Sequence, residues 1–252
     1  MANWNDPQPG TRNSGTSFGA SPSLNGDVLS GGVTFDAGLR KHMLSIYNYM
    51  ASGVLLSGVV ALLMANSGMA LAMMGSPLKW LVMLAPLGFV FAISLGANRF
   101  STGTLQLLYW AFATVMGMSM STIFLVYTGA SIAGTFFATA GAFAGLSLYG
   151  YTTKRSLSGM GSFLVMGLIG LIIASLINLF LQSSVLHWAI SFIGVLIFAG
   201  LTAYDTQRLK QEYEVLRGTE FAGKAVILGA LSLYLDFINM FQFLLSFMGS
   251  RD

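Results

Sequence analysis

An all-α bundle of seven membrane-crossing helices is the fold this sequence predicts, and three observations predict it. The chain of 252 residues is 55% hydrophobic and only 8% charged, where soluble domains average about a quarter charged. Its mean hydropathy is +0.72. Several apolar runs reach the roughly 18 to 25 residues that a helix needs to cross hydrocarbon, where a helix satisfies its own backbone hydrogen bonds. The same composition excludes other classes. There is no cysteine, so neither a disulfide framework nor a thiolate metal site can form. His42 and His187 stand far apart and form no ligand motif, and a net charge of +3 is too small to point to nucleic acid.

Taken in order, residues 1–36 are rich in Gly, Ser, Asn and Pro and carry neither an apolar core nor a basic-then-apolar signal pattern. A disordered tail is expected there, ahead of a transmembrane domain over 37–252. The first span is expected at His42–Met64 and the second at Leu78–Leu95, joined by a loop crowded with Met69, Met73 and Met74. Without a nearby His or Cys, these methionines read as apolar filler and not as a copper site. The third span, Thr104–Val126, leads through a tight Thr128-Gly129 turn to the fourth, Ile132–Tyr151. The fifth is Phe163–Leu181, the sixth Trp188–Tyr204 with a polar helical extension, and the seventh Ala225–Met248.

Small residues recur at Gly134, Ala138, Gly141 and Gly145 on the fourth span and at Gly159, Gly167 and Gly170 on or beside the fifth. They are expected to let helix backbones approach closely. Orientation follows from Lys and Arg. Arg12, Arg40, Lys41, Arg99, Lys154, Arg155, Arg208, Lys210, Arg217 and Lys224 fall on one side, and only Lys79 and Arg251 on the other. The basic side is the inner one, so the N-terminus is expected inside and, after seven crossings, the C-terminus outside.

The last two spans carry the chemistry. Asp236 sits 11 residues into the otherwise uncharged run Ala225–Met248. A carboxylate at the centre of a span costs about 2.5–3.5 kcal/mol on insertion scales, which makes it a functional candidate that needs a partner. The chain folds back at Gly218-Thr219-Glu220, where Gly suits a left-handed helix stop and Thr a cap. Asp205 lies 13 residues before Gly218, and Asp236 lies 16 after Glu220. In an antiparallel hairpin their heights then differ by about 5 Å, one helical turn. Two carboxylates meeting in a low-dielectric interior cannot readily both ionise, so they share a proton or bind a cation. Two plainer readings stay open: Asp205 as a helix-end acid at the surface, and Asp236 as a permanently protonated hydrogen-bond donor. Asn239 lies on the same helical face as Asp236 and is a candidate cavity-lining residue. Arg99, in the inner turn after the second span, reads as a charge at the headgroups.

Hydrolytic chemistry finds no support. The chain has no His-Glu-x-x-His and no Gly-x-Ser-x-Gly. An intramembrane aspartyl protease would need a Gly-x-Gly-Asp context around its second acid, which Leu235-Asp236-Phe237 lacks. The chain is therefore not expected to be an enzyme.

The stretch from Gly200 through Tyr204-Asp205-Thr206-Gln207, followed by Gly229 through Leu235-Asp236-Phe237-Ile238-Asn239-Met240-Phe241, closely resembles the signature of the Bax inhibitor-1 family, also called the transmembrane Bax inhibitor motif family. The apolar pattern agrees from about residue 37 to 250, and the tail lies outside the resemblance. The resemblance implies a bacterial member of the family: a seven-helix protein of the cytoplasmic (inner) membrane acting as a pH-sensitive calcium leak channel. In it, Asp205 and Asp236 would form a di-aspartyl sensor and Arg99 would latch to it. It also implies lipid, protons and calcium as partners, with no cofactor beyond the permeant ion. Two carboxylates fall far short of the six to eight oxygen ligands calcium usually takes, so calcium at Asp205 and Asp236 would be transient. The rival expectation, from another class, is a non-transporting regulator that binds a membrane protease or other integral membrane protein.

Overall fold

The computed structural model describes residues 26–250, with side chains from residue 37 onward. The chain forms two units, residues 1–38 and 39–252. Of the first, the described residues are the opening turns of one helix. The greater part of the expected tail, residues 1–25, lies outside the described residues, and its remainder belongs to the helix Gly26–Asn66.

Among the described residues eight α-helices follow one another: α1 (Gly26–Asn66), α2 (Met69–Met74), α3 (Leu78–Gly96), α4 (Thr102–Met120), α5 (Gly129–Thr152), α6 (Ser158–Leu181), α7 (Ser184–Leu216) and α8 (Ala222–Met248). A 3-10 turn, Ser121–Leu125, extends α4. All except α2 contain a stretch long and apolar enough to cross a membrane, that of α1 being Ala37–Asn66. The seven expected spans are therefore present, and the methionine-rich connection folds as the short α2. Hydroxyl caps open three of the spans. Ser101 accepts from the Thr104 amide at 3.1 Å, Thr128 from Ser131 at 3.2 Å and Ser183 from Leu186 at 3.3 Å, satisfying amides that have no partner within the helix.

The second unit is built around α8, the most buried span. It packs against α7, α5 and α4; α7 also packs on α5 and α6, while α3 packs on α4. Tyr109, Phe112 and Tyr234 are fully buried, and their rings meet at centroid separations of 5.1 to 6.5 Å. The Tyr234 hydroxyl needs a partner at that depth and finds Ser57 at 2.6 Å, whose own oxygen lies 2.7 Å from the Ala113 carbonyl. One polar node thus ties α1, α4 and α8 where hydrocarbon would otherwise leave hydroxyls unpaired.

The expected small-residue packing face is corrected by the structure. Gly134, Ala138, Gly141 and Gly145 all point outward, and a side chain added at any of the three glycines would meet nothing. Gly159 and Gly170 are equally open, and only Gly167 approaches a neighbour, Ile197. The buried face of α5 is instead Thr135, Thr139, Phe143, Ser147 and Gly150. Close backbone approaches occur where Gly150 meets the Ala203 carbonyl and where Gly117 meets the backbone of Ser57. A period of three and four shows which residues share a face, but not which face turns inward.

Hydrogen bonds mark the two ends of the bundle. At one end Lys210 Nζ donates to the Tyr151 carbonyl (2.9 Å) and Lys224 Nζ to the Ala97 carbonyl (3.2 Å), each placing a cation on the negative end of a helix. Gln207 there accepts from the Leu157 amide (2.7 Å) and donates to the Arg155 carbonyl (2.8 Å). At the other end the Thr128 amide donates to the Ser250 carbonyl (3.2 Å), and Ser246 Oγ lies 2.8 Å from His187 Nε2.

Candidate functional site

α7 and α8 form the antiparallel hairpin that the sequence predicts. Gly218 turns the chain with φ of 78°, a left-handed conformation that costs glycine no steric penalty. Thr219 closes the end of α7 by donating to the Leu216 carbonyl at 2.6 Å, and does not cap α8 as the sequence reading has it; the residue preceding α8 is Phe221. From this turn the two helices run back with Asp205 and Asp236 facing one cavity of about 670 Å³.

Asp205 is 6% exposed and Asp236 5%. Asp205 is held from both helices. Arg208, one turn further along α7, places Nη2 3.4 Å from its Oδ1, and Ser232 of α8 donates a hydrogen bond to its Oδ2. The same Ser232 oxygen accepts from Arg208 Nη2 at 3.1 Å, so its single proton goes to the acid and its lone pair receives the guanidinium. Arg208 Nε in turn lies 3.4 Å from Glu212 Oε1. Asp236 differs: its Oδ2 is buried and has no hydrogen-bond partner among the described residues. Arg208 therefore compensates Asp205, and a charge on Asp236 has no dedicated counter-charge in the cavity. A buried carboxylate in that position calls for either a proton or a cation.

Asn239, three residues beyond Asp236, lines the same cavity and donates Nδ2 to the Leu235 carbonyl of its own helix at 2.8 Å. Its amide oxygen is left for the cavity. Arg99 is not brought to this site. It follows the end of α3, where the Arg99 and Phe100 amides close on the Gly96 carbonyl at 2.9 and 2.8 Å, and its side chain is exposed. The cation beside the acids is Arg208, because three residues after Asp205 is the same face of α7. Arg208 and Ser232 are the residues that the sequence reading passed over. Both had a signal: Arg208 stands at i+3 from one acid and Ser232 at i−4 from the other.

Comparison with known proteins agrees along most of the chain. A family model described as Inhibitor of apoptosis-promoting Bax1 matches residues 39–252. An uncharacterized protein of Rickettsia prowazekii (strain Madrid E) is 48% identical over 219 residues, covering 86% of this chain and 93% of its own. One from Caulobacter vibrioides is 48% identical over 231 residues, covering 87% and 92%. The inner membrane protein YbhL of Escherichia coli (strain K12) is 46% identical over 219 residues, covering 85% and 94%.

Proposed function

The chain belongs to the Bax inhibitor-1 family, and from that premise we propose that it is a passive, pH-sensitive calcium leak of an inner membrane, with its N-terminus in the cytoplasm. The observation that carries the reading is the unequal pair. One acid, Asp205, is paired with Arg208 and hydrogen-bonded by Ser232, while the other, Asp236, lines the same cavity and has one oxygen buried without a partner among the described residues.

The unequal pair supplies a switch. With a proton on Asp236 the charged groups that line the cavity are Asp205 and Arg208, which pair with one another. Loss of the proton leaves a carboxylate that a cation from solution can neutralise. Calcium suits oxygen donors, and Asn239 adds an amide oxygen beside the two acids, still well short of six to eight ligands. The ion is then passed on and not retained. In this reading the protein is no enzyme, needs no cofactor, and Arg208 takes the latching role that the resemblance gives to Arg99.

Reconstitution into vesicles loaded with a calcium-sensitive dye tests the proposal. Wild-type protein should pass calcium at a rate that changes with pH. Asp236→Asn removes the titrating group while keeping its shape, and should flatten that dependence. Wild-type vesicles that pass no calcium, or an Asp236→Asn protein with an unchanged pH profile, would overturn it.

A further inference from the structure

The cavity that holds the acids has a second, chemically different end. Val165, Leu168, Ile172, Leu176 and Leu179 of α6 line it, at a spacing that puts them in one stripe along the helix. Leu179 follows Val165 by 14 positions, a rise of about 21 Å. Register places the stripe relative to the acids. Gly161 of α6 abuts Tyr204, Gly200 of α7 abuts Leu164, and Gly167 abuts Ile197. Asp205 is thus level with the first turns of α6, and the stripe runs away from it toward the far end of the bundle.

This wall is open on one side. Leu87 of α3, which faces the stripe across the cavity, is 55% exposed, and Leu179 is 68% exposed. α3 packs on α4 and α6 on α7, so the cavity opens sideways between α3 and α6. In a bilayer that side is hydrocarbon, and the groove takes an acyl chain more readily than water.

Charge decides what the chain carries at its inner end. Asp205, Asp236 and Glu212 surround one cation, Arg208, whose nitrogens already face Asp205, Ser232 and Glu212. Arg208 Nε is also buried without a hydrogen-bond partner among the described residues, but it faces Glu212 Oε1 at 3.4 Å, and the carboxylates outnumber the single cation, so an anionic headgroup would be repelled there. A cationic nitrogen in the cavity would lie beside Asp236, a lining residue that is 5% exposed and has one carboxylate oxygen buried without a hydrogen-bond partner.

We infer that this cavity is a lateral binding site for single-chain amphiphiles with a cationic nitrogen headgroup, the nitrogen at Asp236 and the chain along α6. An amphiphile seated there covers both acids, so it blocks permeation as well. That last consequence, and only that, rests on the calcium reading.

The site is tested by binding, without any flux measurement. The full chain in nanodiscs of zwitterionic lipid is titrated with dodecyltrimethylammonium, dodecanol, dodecanoate and tetramethylammonium below their micellar range. Occupancy is read by native mass spectrometry and by thermal shift. The expected result is one dodecyltrimethylammonium per chain, bound at least about tenfold more tightly than the other three, a difference of about 1.4 kcal/mol. Asp236→Asn should bring the cationic chain down to the level of the alcohol. Leu176→Trp, which fills the groove, should weaken all the chained compounds and leave tetramethylammonium unchanged. Equal binding of the cationic and uncharged chains by wild-type protein would overturn the inference without recourse to a variant. So would an Asp236→Asn protein that keeps the preference.

Discussion

Arg208 is the residue on which the electrostatics of the cavity turn. Its side chain is 40% exposed while that of Asp205 is 8%, so water weakens the pair from one side only. Replacing Arg208 with Gln leaves Asp205 a buried carboxylate with Ser232 as its remaining anchor. The purified Arg208→Gln protein should therefore unfold at a lower temperature than wild type. Adding Asp205→Asn should recover part of the loss, with a coupling of about 1 kcal/mol once solvent screening is counted. Strictly additive effects would mean that the pair contributes nothing to the fold. Arg99→Gln, at an exposed position, should stay within about 0.5 kcal/mol of wild type. The two acids were legible in the sequence because a lone charge in an apolar run stands out in one dimension. Arg208 was not, because the run from Gln207 to Arg217 is dense in charge and reads as a surface extension. Which of its charges turns back toward an acid is a question of helical face.

At the scale of elements, the helices fit by backbone approach at a few points. Gly150 of α5 lies where a Cβ would collide with the Ala203 carbonyl of α7, and a main-chain oxygen in a packed helix cannot swing aside. Gly150→Leu should cost at least about 2 kcal/mol, seen as a large drop in folded yield and melting temperature. Gly141→Leu on the same helix points outward with nothing in reach, and should stay within about 0.5 kcal/mol. A Gly141→Leu protein as damaged as Gly150→Leu would mean that α5 is rotated from the orientation described. The hairpin between α7 and α8 was legible because a single glycine at a polar turn fixes both its position and its left-handed conformation. The inward face of α5 was not. Its outward stripe is smaller and more regular than its buried face, and the buried face carries Thr139 and Ser147, whose hydroxyls pair with Thr135 and Thr206 at 2.8 Å. Polar groups that look like a solvated face were in fact satisfied inside.

For the molecule as a whole, the hydrogen bonds at each end of the bundle make the spans alternate in direction. Lys210, Lys224 and Gln207 gather the ends of α3 and α5 and the start of α6 at one face. Ser250 joins the start of α5 at the other. His42, early in the apolar part of α1, lies with its ring 5.0 Å from that of Tyr213 near the end of α7, at the first of these faces. The first of the described spans therefore begins, and the last ends, at opposite faces of the bundle, and the proposed orientation puts the face richer in Lys and Arg, ten against two by the sequence, in the cytoplasm. Because the chain has no cysteine, single introduced thiols report on sidedness without a background. Ser14→Cys and Ser156→Cys should stay unlabelled in intact cells treated with a membrane-impermeant maleimide and react once the membrane is opened. Ser67→Cys and Ser250→Cys should react from outside. Labelling of Ser14→Cys and Ser250→Cys from the same side would mean that one of the seven helices does not cross. The acids on α7 and α8 would then no longer stand in a wall between two compartments, and the proposed leak would lose its geometric basis while the lateral groove along α6 kept its own.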